Sequence, residues 1–392
     1  MREEWQRIEL SELVYEACLG TTSRSVDGSG NLTLLKMGSL RGGSIDNSQV
    51  ETVMAGTVEN LHRLTLRPGD LLINTRNTPE LVGKVGVWHE DDGRTVPDNN
   101  LLIVRFNQMV EPSYMGAQLT FGVPAKRIRG IATGTTSVAA VYWRDLARIE
   151  IPVPPLAKQR RIAEILGEMD EQISVSLLRK AKQEMLIDGL RSALLAPKSG
   201  WVDVQIGDVG QVVTGATPTS DYFSISRNSL PFITPAEVSV SGAVEDPGRS
   251  VHSSAPGVRM LPAGTTLVVC IGFGTGKVGF AAFECCTNQQ INAIVSRQGV
   301  DPRFLFMSVA ERAGQIRARA NLQVTPILNK SEFSKIWVSV PDVDTQRQLA
   351  DRFDAAKDVS RAIDVEIAKL RDLKQAMLDD LLTGRVSTRT GG

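Results

Sequence analysis

The 392-residue chain lacks most of what a catalytic or metal centre requires. It has four cysteines (Cys18, Cys270, Cys285, Cys286) and three histidines (His62, His89, His252), with no Cys-x-x-Cys spacing, so no zinc ligand set can be assembled from its motifs. Reduced, buried thiols are the expectation. No stretch of about 18 uncharged apolar residues occurs that could serve as a membrane span. The opening Met1-Arg-Glu-Glu-Trp5 carries no apolar run of the secretory kind, and a soluble, cytoplasmic protein is expected. An excess of either charge is missing as well: 44 basic and 44 acidic residues give a net charge of zero. No global basic field therefore announces nucleic acid, although local basic patches stay compatible with that balance.

What the chain does have is repetition. Ile151-Pro-Val-Pro-Pro-Leu-Ala-Lys-Gln-Arg160-Arg-Ile-Ala163 is echoed by Val338-Ser-Val-Pro-Asp-Val-Asp-Thr-Gln-Arg347-Gln-Leu-Ala350, with Gln159 and Gln346 lying 187 residues apart. That period is far too long for a solenoid repeat. Each copy follows a segment rich in short apolar runs, such as Asp70-Leu-Leu-Ile-Asn74 and Leu101-Leu-Ile-Val-Arg-Phe106, punctuated by Gly, Asn and Pro in the manner of strands and turns. The chain therefore divides into a strand-rich head at 1–150, a helix at 151–197, a second head at 198–340, and a terminal helix with its tail at 341–392.

The helices read as partners. In the terminal one a heptad runs through Leu349, Phe353, Ala356, Ser360, Ile363, Ile367, Leu370, Lys374, Met377 and Leu381. The central one has apolar positions at Ile162, Leu166, Met169 and Ile173, continued by Leu178, Ala181 and Met185. A helix of about 40 residues spans roughly 60 Å, too long to be covered by one neighbouring head, and its narrow stripe calls for a helical partner. An intramolecular antiparallel coiled coil is expected, the alternative being two helices packed separately on their own heads. Lys182-Gln183 matches Lys374-Gln375 at an offset of 192, so about one turn separates the two copies in length.

The heads repeat more faintly. Trp5 matches Trp201, Leu66-Arg-Pro-Gly69-Asp-Leu-Leu-Ile73 matches Leu261-Pro-Ala-Gly264-Thr-Thr-Leu-Val268, and Gly83-Lys84-Val-Gly86 matches Gly276-Lys277-Val-Gly279. Between these markers the residues diverge, notably Asn74-Thr-Arg76-Asn77-Thr78 against Cys270-Ile-Gly-Phe-Gly-Thr275. A shared frame with different surfaces is what two readers of different targets need.

This order of head, Pro154/Gln159/Arg160 helix start, head, Pro341/Gln346/Arg347 helix start and terminal Leu381-Leu-Thr-Gly384 resembles the specificity (S) subunit of type I restriction-modification enzymes over essentially the whole chain. Where many members carry Glu-Gln, this chain has Lys158-Gln159 and Thr345-Gln346, and the second head has Gly264-Thr265 in place of Gly-Asp. The resemblance implies an α+β, pseudo-twofold fold with two target recognition domains, each reading half of a bipartite site on double-stranded DNA. It implies that the helices set the spacer and dock two methyltransferase (M) subunits in a system of defence against foreign DNA. The chain itself would be non-catalytic and bind no cofactor, the partner methyltransferase using S-adenosylmethionine. Whether restriction (R) subunits join the complex is left open by the sequence.

Base reading favours Arg or Lys on guanine and Asn or Gln on adenine, and phosphates attract Lys and Arg. By that chemistry the DNA-binding candidates are Asn74, Arg76, Asn77, Lys84, Lys126, Arg127 and Arg129 in the first head, and Thr275, Lys277, Gln289, Gln290, Arg317 and Arg319 in the second. Lys84 and Lys277, common to both heads, suit phosphates or the scaffold, because a shared feature encodes no difference in sequence. Each of the others competes with an ordinary solvated surface role.

Three patterns point elsewhere and are weak. Gly274-Thr-Gly276-Lys-Val-Gly279 fits the dinucleotide-binding spacing, but no helix-forming run follows, and Val278 after Lys277 removes the P-loop hydroxyl. Asp364 and Glu366 resemble a nuclease carboxylate pair but fall on the flank of the heptad helix. No Ser/His/Asp or Cys/His arrangement and no Asn/Asp-Pro-Pro-aromatic tetrapeptide of an amino-methyltransferase is present, so methyl transfer would come from a partner. A coiled-coil assembly protein with protein-binding heads is the second reading, expected to show neutral or acidic head surfaces. A nucleotide-using enzyme, needing a helix after Gly279, is the third.

Overall fold

The computed structural model describes residues 5–24, 30–48, 50–134, 138–223, 229–239, 241–244, 247–320 and 326–385. Two compact units form, one from Met1–Val175 with Ile367–Gly392 and one from Ser176–Glu366. Each unit holds one head together with a stretch of both long helices, so the division runs across the helices rather than at their ends.

The first head is built on a four-stranded antiparallel sheet in the order Val14–Leu19, Leu101–Phe106, Leu71–Asn74, Val85–Val87. Its strands read as continuous apolar runs because both faces are covered. Leu71, Ile73, Leu102 and Val104 face one core with Met115 and Ile151, while Leu72, Leu101 and Ile103 face another with Leu34, Val53 and Val96. The second head repeats the order with Gly210–Thr214, Ile291–Ser296, Thr265–Val269, Val278–Ala281. Val268 and Ile294 face one core there, and Leu267, Val269, Ile291 and Ala293 the other.

The correspondence extends outward from the sheets. A two-stranded ribbon closes each head, Gln6–Glu9 with Glu150–Val153 and Val202–Gln205 with Trp337–Val340. A helix follows each sheet, Pro112–Phe121 and Pro302–Glu311, capped by the side chains of Glu111 and Asp301. Trp5 meets Tyr114 edge to face at 6.5 Å between ring centroids, and Trp201 meets Phe304 in the same manner at 6.1 Å. Two heads of one frame are thus visible in the backbone where the sequence showed only scattered markers.

The repeated glutamine has a specific task. Gln159 Oε1 accepts from the Glu111 N–H at 2.9 Å while its Nε2 donates to the Met109 and Pro154 carbonyls, each at 2.9 Å. Gln346 does the same with the Asp301 N–H at 2.8 Å and the Gly299 and Pro341 carbonyls at 3.4 and 2.8 Å. Both side chains are buried, and each ties the start of a long helix to the capped helix of its own head. The neighbouring Arg160 and Arg347 are exposed.

The long helices are Leu156–Leu194 and Val343–Thr383, free of internal proline and rich in Leu, Ala, Glu, Lys and Arg. Asp342 caps the second, its carboxylate accepting from the Asp344 and Thr345 N–H groups, which holds its pKa below the usual carboxylate range. Gly384 ends it at a φ of +70°, the left-handed conformation that glycine adopts freely at a helix C-terminus. A Cβ at Gly384 would fall 2.8 Å from the Trp5 ring, and Gln118 Nε2 donates to the Leu382 carbonyl at 3.0 Å. The Leu-Thr-Gly ending therefore docks onto the first head inside its own unit.

The helices run antiparallel in each unit. In the first, Lys374 pairs with Asp170, and Ile162, Leu166, Leu378, Leu381 and Leu382 share one core with Tyr114. In the second, Ser176 and Arg179 meet Glu366, Lys180 meets Asp364, and Gln183 Nε2 donates to the Ala356 carbonyl. Leu349, Phe353, Ile363, Ile367 and Leu381 are buried, and Ile173, Leu370 and Met377 half-buried. Met169 is buried too. The central helix departs from the sequence reading beyond Ile173. Its inward positions are Ser176, Lys180 and Gln183, whereas Leu178 and Met185 are 72% and 76% exposed. Polar residues occupy the seam there, and the apolar ones nearby point to solvent. No described helix is long and apolar enough to cross a membrane.

Candidate nucleic-acid interface

In the first head three pieces of chain meet beside the sheet. Gly83, at a φ of +78°, opens the turn that leads into Val85–Val87, and a Cβ there would lie 2.5 Å from Ile128 Cγ2. Only glycine lets the Gly83-Lys84 turn sit directly on the helix Val123–Ile131. That helix buries Pro124, Ala125 and Ile128, so Lys126, Arg127 and Arg129 face solvent. Arg76–Asn77 pairs with Ala139–Ala140, which pairs with Thr133–Gly134 just after the helix.

The second head makes the equivalent arrangement from different residues. A Cβ on Gly276, φ +92°, would fall 3.0 Å from the Ala313 carbonyl oxygen and 3.3 Å from Arg317 Cβ, so the Gly276-Lys277 turn sits on the helix Ala313–Arg319. Arg317 Nε donates to the Thr275 carbonyl at 3.3 Å, and Ile271 bridges to Ile327 as Arg76 pairs with Ala140 in the first head. The structure thus brings together Arg76, Asn77, Lys84 and the 126–129 cluster in one head, and Lys277, Arg317 and the loop 270–277 in the other.

Charge is distributed unevenly around these pieces. Between Glu111 and Asp145 there is no acidic residue but four cations (Lys126, Arg127, Arg129, Arg144), and between Glu311 and Glu332 again none but four cations (Arg312, Arg317, Arg319, Lys330). In a chain of zero net charge this places a basic stretch at the same location in both heads. Among the described residues the ion pair on the first cluster, Arg127 with Glu150 at 3.5 Å, is exposed on both sides and so leaves the cation available for exchange with a phosphate.

Several individual candidates are placed elsewhere. Asn74 is fully buried and donates from Nδ2 to the Leu81 carbonyl at 3.2 Å, closing the loop beneath the turn rather than presenting an amide to solvent. Thr275 is buried too, its Oγ1 on the Gly272 carbonyl at 2.6 Å. Asn77 donates to Met37 Sδ and accepts from the Thr78 N–H, and Gln290 is held by Asn288 and the Ile271 carbonyl. Gln289 is exposed and accepts from Thr217 Oγ1. Arg76, Lys84, Lys126, Arg129 and Arg319 are exposed, and Lys277 half-buried. Sequence reasoning passed over Phe273, which stands in the diverging loop and is fully exposed. A lone aromatic flanked by glycines was the signal for it.

The alternatives lose their supports at this site. The run after Gly279 belongs to a strand, Val278–Ala281, so the helix that a dinucleotide site requires directly after the glycines is replaced by a strand. Asp364 and Glu366 are engaged with the central helix. Among the described residues no group of three or more His, Cys, Asp or Glu side chains is arranged to hold a metal ion. The cysteines are free, and burial pushes the Cys270 and Cys286 thiols up to about 11 and Cys285 to about 12.

The model of the type I restriction modification DNA specificity domain matches residues 198–370, which span the second head and much of the terminal helix. A protein named as a type I restriction enzyme MjaX specificity subunit in Methanocaldococcus jannaschii is 22% identical over 99% of this chain and 95% of its own length. Over essentially its whole length the chain is similar to a type I specificity subunit. The HindI specificity subunit of Haemophilus influenzae is 25% identical over 51% of the chain and 45% of that protein. In fold, the chain resembles one in a structure of type I restriction-modification complex assembly, with a TM-score of 0.64, 17% identity and 97% of both chains covered. It also resembles the S subunit from M. genitalium, with a TM-score of 0.60, 14% identity and 96% of both covered.

Proposed function

We propose that each head reads one half of a bipartite double-stranded DNA site, that the paired helices set the gap, and that they dock two methyltransferase subunits which supply the chemistry with S-adenosylmethionine. The observation that carries this reading is the Gly-Lys turn seated on a basic, acid-free helix segment at the same place in two heads whose adjoining loops differ. Shared cations suit phosphates, which position the protein without encoding sequence, and the diverging loops suit base edges. Partner subunits would supply part of the phosphate neutralisation that a neutral chain lacks. A protein-binding head would be expected to show a neutral or acidic surface here, and the local charge is basic.

The test is salt dependence. Exchanging Lys126, Arg127 and Arg129 for Glu in the assembled complex is expected to weaken binding to all DNA sequences alike and to lower the slope of log affinity against log salt by about two to three, at about 0.9 per phosphate contact. An unchanged slope would remove this helix from the interface.

A further inference from the structure

Phe273 belongs to none of the hydrophobic cores of the second head and is 100% exposed. The loop that carries it is nevertheless firmly held. The Cys270 N–H donates to the Gln290 carbonyl at 2.8 Å, the Gly272 N–H to the Pro326 carbonyl at 3.0 Å, and the Gly276 N–H to the Val269 carbonyl at 2.9 Å. Thr275 closes the tip with Oγ1 on the Gly272 carbonyl, and Gly274 backs onto Val269, Pro235 and the aliphatic stem of Lys277. The backbone that projects the ring into water is fixed on both sides before any partner arrives, so only the side-chain rotamer is left to order on contact, which lowers the entropic cost.

Its surroundings define the partner. Lys277 and Arg317 flank the loop, and the segment following Glu311 is free of acids as far as Glu332. Cations beside an apolar tip suit phosphates beside base edges. A phenyl ring makes no hydrogen bond of base-specific direction, so its discrimination in the major groove falls on the one apolar group displayed there, the C5-methyl of thymine. The first head has Arg76-Asn77-Thr78 in this stretch and no aromatic, so the feature differs between the heads as a specificity determinant must.

We propose that Phe273 packs against a thymine methyl in the half-site read by the second head and makes that position specific. This rests on the DNA-specificity reading above. The experiment uses the complex with its methyltransferase subunits, first mapping the methylated motif of the wild type and then comparing F273A and F273L on oligonucleotides in which each thymine of the motif is replaced in turn by uracil. F273A is expected to lose roughly ten-fold in affinity, within the range for one mismatched base pair. It should relax the motif at one A·T position of one half-site, with the other half-site intact. Uracil at that position should cost the wild type a similar factor and F273A nothing, and F273L should recover part of the loss. Because the ring is solvated, the thermal unfolding of F273A should match the wild type. An unchanged motif and affinity would overturn the proposal, as would a uniform loss insensitive to uracil, the mark of a ring wedged between base steps. A wild-type complex with no bipartite motif would instead reject the specificity reading itself.

Discussion

Gln159 and Gln346 each satisfy three backbone groups with one side-chain amide, and the bonds to the Pro154 and Pro341 carbonyls are buried. Replacing Gln346 by Leu keeps the approximate volume but strands the Asp301 N–H and the Pro341 carbonyl, and a loss of about 2–6 kcal/mol is expected in chemical denaturation, at about 1–3 kcal/mol for each of the two groups. The sequence displayed both glutamines as markers of the repeat, yet their role required knowing that residues 109–111 and 299–301 lie against the helix starts. Asn74 and Thr275 show the converse. Short polar side chains in loops look like readers in a sequence, and whether they turn inward to a local carbonyl is decided by backbone path alone. Charge placement is also individual to each head. Arg105 is buried, donating from Nε and Nη2 to Asp70 at 2.9 Å each and from Nη1 to Glu16, whereas Thr265, Val295 and Gln211 stand at the matching places in the second head. The missing acid at Thr265 is thus accompanied by loss of its arginine. Hydrogen bonds from Arg105 and Arg63 hold the Glu16 carboxyl below its ordinary value of 4.5. Its contribution to stability is complete above that value and is lost as the pH falls through the lowered folded value. Amide exchange in Val14–Leu19 and Leu101–Phe106 is therefore expected to rise on acidification below about pH 4.5 before that in Gly210–Thr214 and Ile291–Ser296, and Glu16→Gln should abolish the difference.

At the scale of elements, the terminal helix was legible because an apolar or small residue stands at nearly every heptad position. The central helix was legible only to Ile173. Beyond it Ser176, Lys180 and Gln183 keep the heptad spacing but not its hydrophobicity, so the pattern shifts onto Leu178 and Met185, which the structure exposes. The energetic weight of the seam follows its composition. Phe353→Ala should cost about 3–5 kcal/mol by opening a cavity. Asp364→Ala, removing a mostly exposed partner of Lys180, should cost less than about 1 kcal/mol. Equilibrium denaturation of the two variants checks the ranking. If the helices dock a methyltransferase subunit as proposed, the exposed Leu178 and Met185 are candidates for that contact. Exchanging both for Ser should leave the stability of the chain within about 0.5 kcal/mol and reduce co-purification of that subunit; unchanged co-purification would place the docking face elsewhere.

Taken as a whole molecule, the chain uses one strand order twice and varies what the loops present. That duplication was legible as three markers in the same order, since turns and core strands constrain residue type, while the loops that differ are left free by the scaffold. If the helices set the gap, extending both by one turn, about 5.4 Å, should lengthen the spacer by one to two base pairs at about 3.4 Å each while leaving the bases read unchanged. The central claim is that this chain confers a bipartite DNA specificity. Long-read methylation mapping of a host expressing the methyltransferase subunit with and without this chain tests it most directly. One motif of two half-sites with a fixed gap, present only with the chain, is expected; a complex that assembles yet leaves no chain-dependent motif would contradict this specificity.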